Sequence, residues 1–376
     1  MELGRQLHDS ADRFEESLGL NRLGQIVIHA RFETPLAIPF HGVGRKSDHH
    51  LMASGTLFVL AYSSGGLVHA WNLATGKTSS VRGKYGNALH TANASQLAIA
   101  GRRVAWIKDQ GFGNTEEGEK LYIASVGGKA RQIMHVYRYG VDDSTHTTGG
   151  WIEGLVGSGK NLAVSTWESK GTAATDQQLS LVTGNGLQPL AGGAGSIVSQ
   201  AIDGEHIVDL QSSPWASSTR VSIYSSSGDP LNDFSVNDAE EVALTGNRLA
   251  VLTPAPTPTV EVYDWTTGAL EHTWPARGAT TATSGPNQVG HIEAYGGLVL
   301  YSVYSRYVGG NEILHVLDPA TGKDAVVGTV KAFGANREWA IGSRGLVYAV
   351  NSRPNSTAGP GRIVFVSTAK LDALLG

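Results

Sequence analysis

A short apolar segment, a glycine, two or three mostly polar residues and a second apolar, β-rich run recur along this chain at Gly55, Gly101, Gly159, Gly204, Gly246, Gly296 and Gly342. The successive spacings are 46, 58, 45, 42, 50 and 46 residues. Copies such as Leu97-Ala98-Ile99-Ala100-Gly101 before Val104-Ala105-Trp106-Ile107, and Val242-Ala243-Leu244-Thr245-Gly246 before Leu249-Ala250-Val251-Leu252, read as two strands joined by a tight turn. A second landmark follows each of the first six glycines: a strand that runs into another glycine turn and leaves as a more polar strand. It is seen at Gly76, Gly128, Gly186, Gly228, Gly268 and Gly322. Two hairpins per repeat make four strands per repeat.

One twisted four-stranded sheet of roughly 40 to 50 residues cannot bury both of its faces unless neighbours stack around a common axis. The expected fold is therefore all-β: a seven-bladed β-propeller of four-stranded antiparallel blades over residues 25–376. The last repeat has only three strands, at Ile341-Gly342, Leu346 to Val350 and Ile363 to Val366. A strand from near the N-terminus is expected to close it, either Ile26-Val27-Ile28 or, preferentially, Leu36-Ala37-Ile38-Pro39-Phe40, which removes an exposed sheet edge. Residues 1–24 stand apart. Leu3, Leu7, Phe14, Leu18 and Leu20 among charged residues give a helix-like period, read as a short N-terminal helix that is either a leader or stalk or a rim-packing element.

The turns Asn72-Leu73-Ala74-Thr75-Gly76-Lys77, Asp264-Trp265-Thr266-Thr267-Gly268 and Asp318-Pro319-Ala320-Thr321-Gly322-Lys323 resemble the Asp-x-x-Thr-Gly-Lys turns of PQQ-like and WD40 (YVTN-type) repeat propellers. Trp274, six residues after Gly268, is similar to the tryptophan of PQQ-type blades. The resemblance implies the fold. It does not carry over a PQQ cofactor, because the other repeats lack that tryptophan, and the Trp-Asp pairs of WD40 repeats are missing.

Composition narrows the partners. Lys+Arg 29 against Asp+Glu 33, net charge -4, provides no basic stripe for phosphates, so nucleic acid is not an expected partner. No run of 18 apolar residues exists, so no direct membrane insertion is expected. Cys 0 excludes disulfides, thiolate nucleophiles and cysteine-ligated zinc. No cofactor and no metal are implied. Compartment stays open, with an extracytoplasmic or cell-envelope setting preferred.

In a propeller the blade-to-blade loops and the second-to-third strand loops gather around the axis at one face, which is where a ligand is expected. The residues there that suit polar recognition are His90, Arg138, Tyr139, Asp142, His146, Arg306, Tyr307 and Arg337, with Trp151, Trp215 and Trp339 bordering the loops as surfaces on which a sugar would stack. His69, His206 and His315 fall inside strand patterns and are read as satisfied sheet histidines; Trp71, Trp106 and Trp265 are read as packing between blades. No nucleophile elbow, P-loop, His-Glu-x-x-His or EF-hand loop is present. Two functions are compatible with this pattern. The first is a non-catalytic recognition module for a protein, peptide or glycan. The second is a propeller enzyme, a polysaccharide lyase or glycoside hydrolase, with His90, His146, Tyr307 and Arg337 around the funnel.

Overall fold

The computed structural model describes residues 36–39, 49–54, 57–62, 68–72, 77–80, 97–109, 118–137, 148–170, 173–184, 186–193, 196–212, 218–254, 257–279, 287–305, 311–331, 339–351 and 361–376. Within them the strands form seven four-stranded antiparallel sheets, six of them built from consecutive strands. We number the blades in chain order by their first strands, which are His49–Ser54, Leu97–Ala100, Thr148–Ser158, Ser196–Ile202, Glu241–Thr245, Asn287–Tyr295 and Trp339–Gly342. Each of these strands packs beside the first strand of the next sheet, and the seventh packs back on the first, so they line a central channel. The fold is an all-β propeller.

The blade-seven sheet takes its fourth strand from the other end of the chain. Leu36–Pro39 pairs antiparallel with Gly361–Ser367, Leu36 opposite Phe365 and Pro39 opposite Arg362. A proline at this position is compatible with the outer edge of a sheet, where one row of N–H groups has no ladder partner.

The continuous apolar runs of the inner strands follow from burial on both faces. In blade five, Val242 and Leu244 join Leu249 and Val251 in a cluster shared with blade four, while Ala243 joins Ala250 and Leu252 in a cluster shared with blade six. Successive side chains point to opposite sheet faces, and here each face meets a neighbouring blade. Similar clusters seal blades two to three, three to four and six to seven. Each fully buried Val, Leu or Ile in them contributes roughly 1.5–3 kcal/mol.

The turn motif has a local cause. Asp318 accepts from Ala320 N at 2.9 Å and from Thr321 Oγ1 at 2.7 Å, while its carbonyl takes Gly322 N at 2.8 Å. Gly322 sits at φ +70, and a Cβ there would come within 2.8 Å of Trp274 Nε1, which fixes both the conformation and the close approach. The Asp264 turn repeats the arrangement, with Thr266 N at 2.9 Å from Oδ1. In both turns these hydrogen bonds, led by those from Thr321 and Thr266, hold the aspartate below its ordinary pKa.

Residues 1–24, for which a helix is expected, lie outside the described residues. The helix that is described lies at the opposite end. Helix α1, Thr368–Leu375, begins at Ser367, whose hydroxyl accepts from Lys370 N at 3.3 Å as an N-cap. It buries Leu371 completely against blades six and seven, and Lys323 Nζ donates to the Gly376 carbonyl at 2.6 Å. No described helix is long and apolar enough to cross a membrane.

Candidate functional site

A cavity of about 740 Å³ runs along the axis against the inner strands of blades three to six, with Leu97, Ile341 and Gly342 completing the wall. Its charged lining is one-sided. Glu153, Asp203, Glu205, Glu240, Glu241 and Glu293 contribute carboxylates, His206 and His291 contribute imidazoles, and no lysine or arginine lines it among the described residues.

Backbone irregularities bring two of these side chains to the channel. The register of Thr148–Ser158 with its partner strand shifts between Ile152 and Gly154, leaving Glu153 as the extra residue. In Asn287–Tyr295 the shift falls between Val289 and Ile292, leaving Gly290 and His291. A bulge breaks the strict alternation of faces and re-aims the residue it inserts. Glycine is needed beside each one. A Cβ on Gly154 would strike the Gln200 amide and lie 3.0 Å from Ser165 Oγ, and one on Gly290 would strike Ser302 Oγ and lie 3.4 Å from Glu312.

Part of the polar lining ties one blade to the next. Glu241 accepts Ile292 N at 2.7 Å and lies 3.3 Å from His291 Nδ1; Glu293 accepts Ile341 N at 3.3 Å; Ser199 Oγ accepts Val242 N at 3.3 Å. Behind His291, Glu312 is 4% exposed. Burial raises its pKa, against the pull of His291 and of hydrogen bonds with Ser302 and Trp339. Burial also raises Glu240, helped by repulsion from Asp238 and Glu241. Among the described residues no group of three His, Asp or Glu is arranged to hold a metal ion. Two acid–base contacts are described in the channel, Glu241–His291 and Asp203–His206, and Glu241 is already engaged by the backbone of the next blade.

Of the residues singled out in the sequence, His90, Arg138, Tyr139, Asp142, His146, Trp215, Arg306, Tyr307 and Arg337 lie outside the described residues. Trp151 occupies a strand position opposite Trp167, and its side chain lies outside the description. Trp339 does not serve as a stacking surface. It is 0% exposed, in the core cluster of blades six and seven with its indole N–H toward Glu312, because it opens the inner strand of blade seven and does not end the preceding loop. The strand histidines that are described are satisfied: His206 pairs with Asp203 at 3.2 Å and packs on Trp265, and His315 pairs with Asp324 at 3.0 Å and stacks on Tyr301. Trp106 and Trp265 are buried at 1% and 8% exposure, as blade-packing residues should be. The side chains of His69 and Trp71 lie outside the description.

Sequence reasoning missed Glu153, Gln200, Glu240, Glu241 and Glu293. The usable signal was a charged or amide residue inside an inner strand that is otherwise apolar, as in Ile152-Glu153-Gly154 and Ile292-Glu293-Ala294.

No family model matches the chain, and no curated protein matches it. Solved structures do. The β-propeller domain of the Trilobed protease from Pyrococcus furiosus superposes with a TM-score of 0.52 at 11% identity, over 85% of this chain and 95% of that one. That domain is described as having an open velcro topology, whereas here Leu36–Pro39 completes the last sheet. Puromycin hydrolase gives a TM-score of 0.54 at 14% identity over 87% of this chain, and this chain spans 52% of its length. U3-55K gives 0.53 at 11% identity, over 88% of this chain and 98% of that one. At these identities the likeness is one of fold: this chain is a β-propeller.

Proposed function

We propose that the chain is a non-catalytic recognition module that binds a cationic peptide segment at the mouth of, and into, its central channel. One observation carries this reading: six acidic residues line the channel, and no lysine or arginine lines it among the described residues. A cleft with low-dielectric walls and one sign of charge focuses its field and concentrates counter-ions of the opposite sign. The resemblance to PQQ-like and WD40 repeats enters at the level of architecture, through the Asp264 and Asp318 turns. The peptidase and hydrolase neighbours support no activity for this chain, since the likeness to them is one of fold and puromycin hydrolase is spanned over half its length.

The test is titration calorimetry with a Lys/Arg-Gly repeat peptide and a matched Glu-Gly peptide at low and at physiological salt. The basic peptide should bind, and binding should weaken with salt. Replacing Glu153 and Glu240 together by glutamine should reduce affinity about tenfold, close to 1.4 kcal/mol. Equal binding of the acidic peptide, or no change in the double variant, removes the reading.

A further inference from the structure

Within the channel wall, the blade three–four interface holds buried polar side chains. Part of it is apolar, built from Ala163, Leu179, Leu181, Ile197 and Ile207. Another part is polar. Gln200 and Asp209 are directly opposed across the first two strands of blade four. Residues so opposed lie on one face of a sheet with Cβ atoms about 5 Å apart. That face is the one turned to blade three, because Asp209 has the same alternation parity as Ile207. From blade three, Ser165 stands opposite Gly154 in the sheet, and the missing Gly154 side chain leaves the space that the Gln200 amide occupies.

These groups are buried and open-handed. Ser165 is 1% exposed, Asp209 0% and Gln200 9%. Ser165 Oγ, Gln200 Oε1 and Nε2, and Asp209 Oδ1 have no hydrogen-bond partner, while Asp209 Oδ2 accepts from Gln211 Nε2 at 2.6 Å. Ser165 and Gln200 line the channel directly. The comparable spot in blade six shows what a closed arrangement looks like. There Ser302 stands beside the bulge glycine Gly290, accepts His291 N at 2.8 Å and bonds Glu312.

The geometry points to a lateral subsite between blades three and four that takes the primary ammonium group of a ligand, a lysine side chain or an alkylamine. The inference rests on the cationic-ligand reading above and names what that ligand must carry. Three oxygen acceptors, Ser165 Oγ, Gln200 Oε1 and Asp209 Oδ1, match the three donors of an ammonium, and Asp209 supplies the counter-charge. A buried carboxylate oxygen without a partner is costly, so a donor that reaches it gains more than it would at a solvated carboxylate. A guanidinium is poorly suited. It is planar and fork-shaped and needs coplanar bidentate acceptors, whereas these acceptors come from three different strands of two blades.

The experiment compares Lys-Gly and Arg-Gly repeat peptides and spermidine in titrations against the full chain. Wild-type protein is expected to prefer the Lys-Gly peptide about tenfold over the Arg-Gly peptide. Ser165→Ala and Gln200→Leu, both gentle to the fold, are expected to abolish that preference, whereas Glu240→Gln weakens both peptides alike. Spermidine competing with the Lys-Gly peptide, with the same loss in Ser165→Ala, identifies a free polyamine as able to fill the subsite; failure to compete confines it to lysine in a chain. Equal binding of the two peptides by wild-type protein, or a lysine preference that survives both variants, overturns the subsite and leaves the cationic reading standing. Absence of any peptide binding overturns both.

Discussion

Asp209 offers the sharpest stability test. It is 0% exposed in the second strand of blade four. Its pKa is pushed up from 3.8 to about 6, first by burial, with the Gln211 hydrogen bond and the Arg220 charge pulling the other way. The folded state therefore holds this proton more tightly than the unfolded chain does. Between pH 3.8 and about 6 the folded protein binds more protons, so stability falls as pH rises through that window. The full effect, at 1.36 kcal/mol per pH unit, is about 3 kcal/mol lost by pH 7 to 8. Asp209→Asn keeps an acceptor for Gln211 and removes the buried charge. Urea unfolding at pH 8 is expected to show the variant more stable by up to about 3 kcal/mol, with the difference shrinking toward zero near pH 4. A difference that does not change with pH, or a wild-type protein that gains on the variant as pH rises, refutes the account. The same substitution should weaken binding of the Lys-Gly peptide, because stability gained by neutralising a site is function given up.

Two further substitutions probe the scaffold. Gly322→Ala places a Cβ at φ +70 and against Trp274, so it is expected to cost about 1–3 kcal/mol by urea unfolding. Leu371→Ala removes the completely buried contact of helix α1 and is expected to cost about 2–5 kcal/mol; amide exchange should show the helix losing protection along with the adjacent strand Lys323–Lys331.

The repeat was legible because a turn leaves its mark in residue type. A left-handed position demands glycine: Gly101, Gly246 and Gly296, read from the sequence as hairpin turns, have φ of 57, 60 and 61. The missing strand of blade seven was legible as a debit, three apolar segments where every other repeat has four, and Leu36–Pro39 settles it in register. Trp339 was misread for a reason of the same kind. Trp339 is the first residue of its inner strand, and no feature of the sequence says which side of that boundary the indole belongs to. The channel was illegible for a deeper reason. Glu153, Glu241 and Glu293 lie far apart in the sequence, and only the ring makes them neighbours. Two bulges also break the alternation from which a face is read, so by strict period Glu153 and His291 would be assigned from the wrong register. A charge inserted by a bulge into a strand that two neighbouring blades would otherwise bury has to be answered by another group. Where the protein answers it, as with Ser302, Glu312 and Trp339 around Gly290, the result is a latch. Beside the other bulge, Ser165 Oγ, Gln200 Oε1 and Asp209 Oδ1 have no hydrogen-bond partner, and the proposed subsite rests on those oxygens.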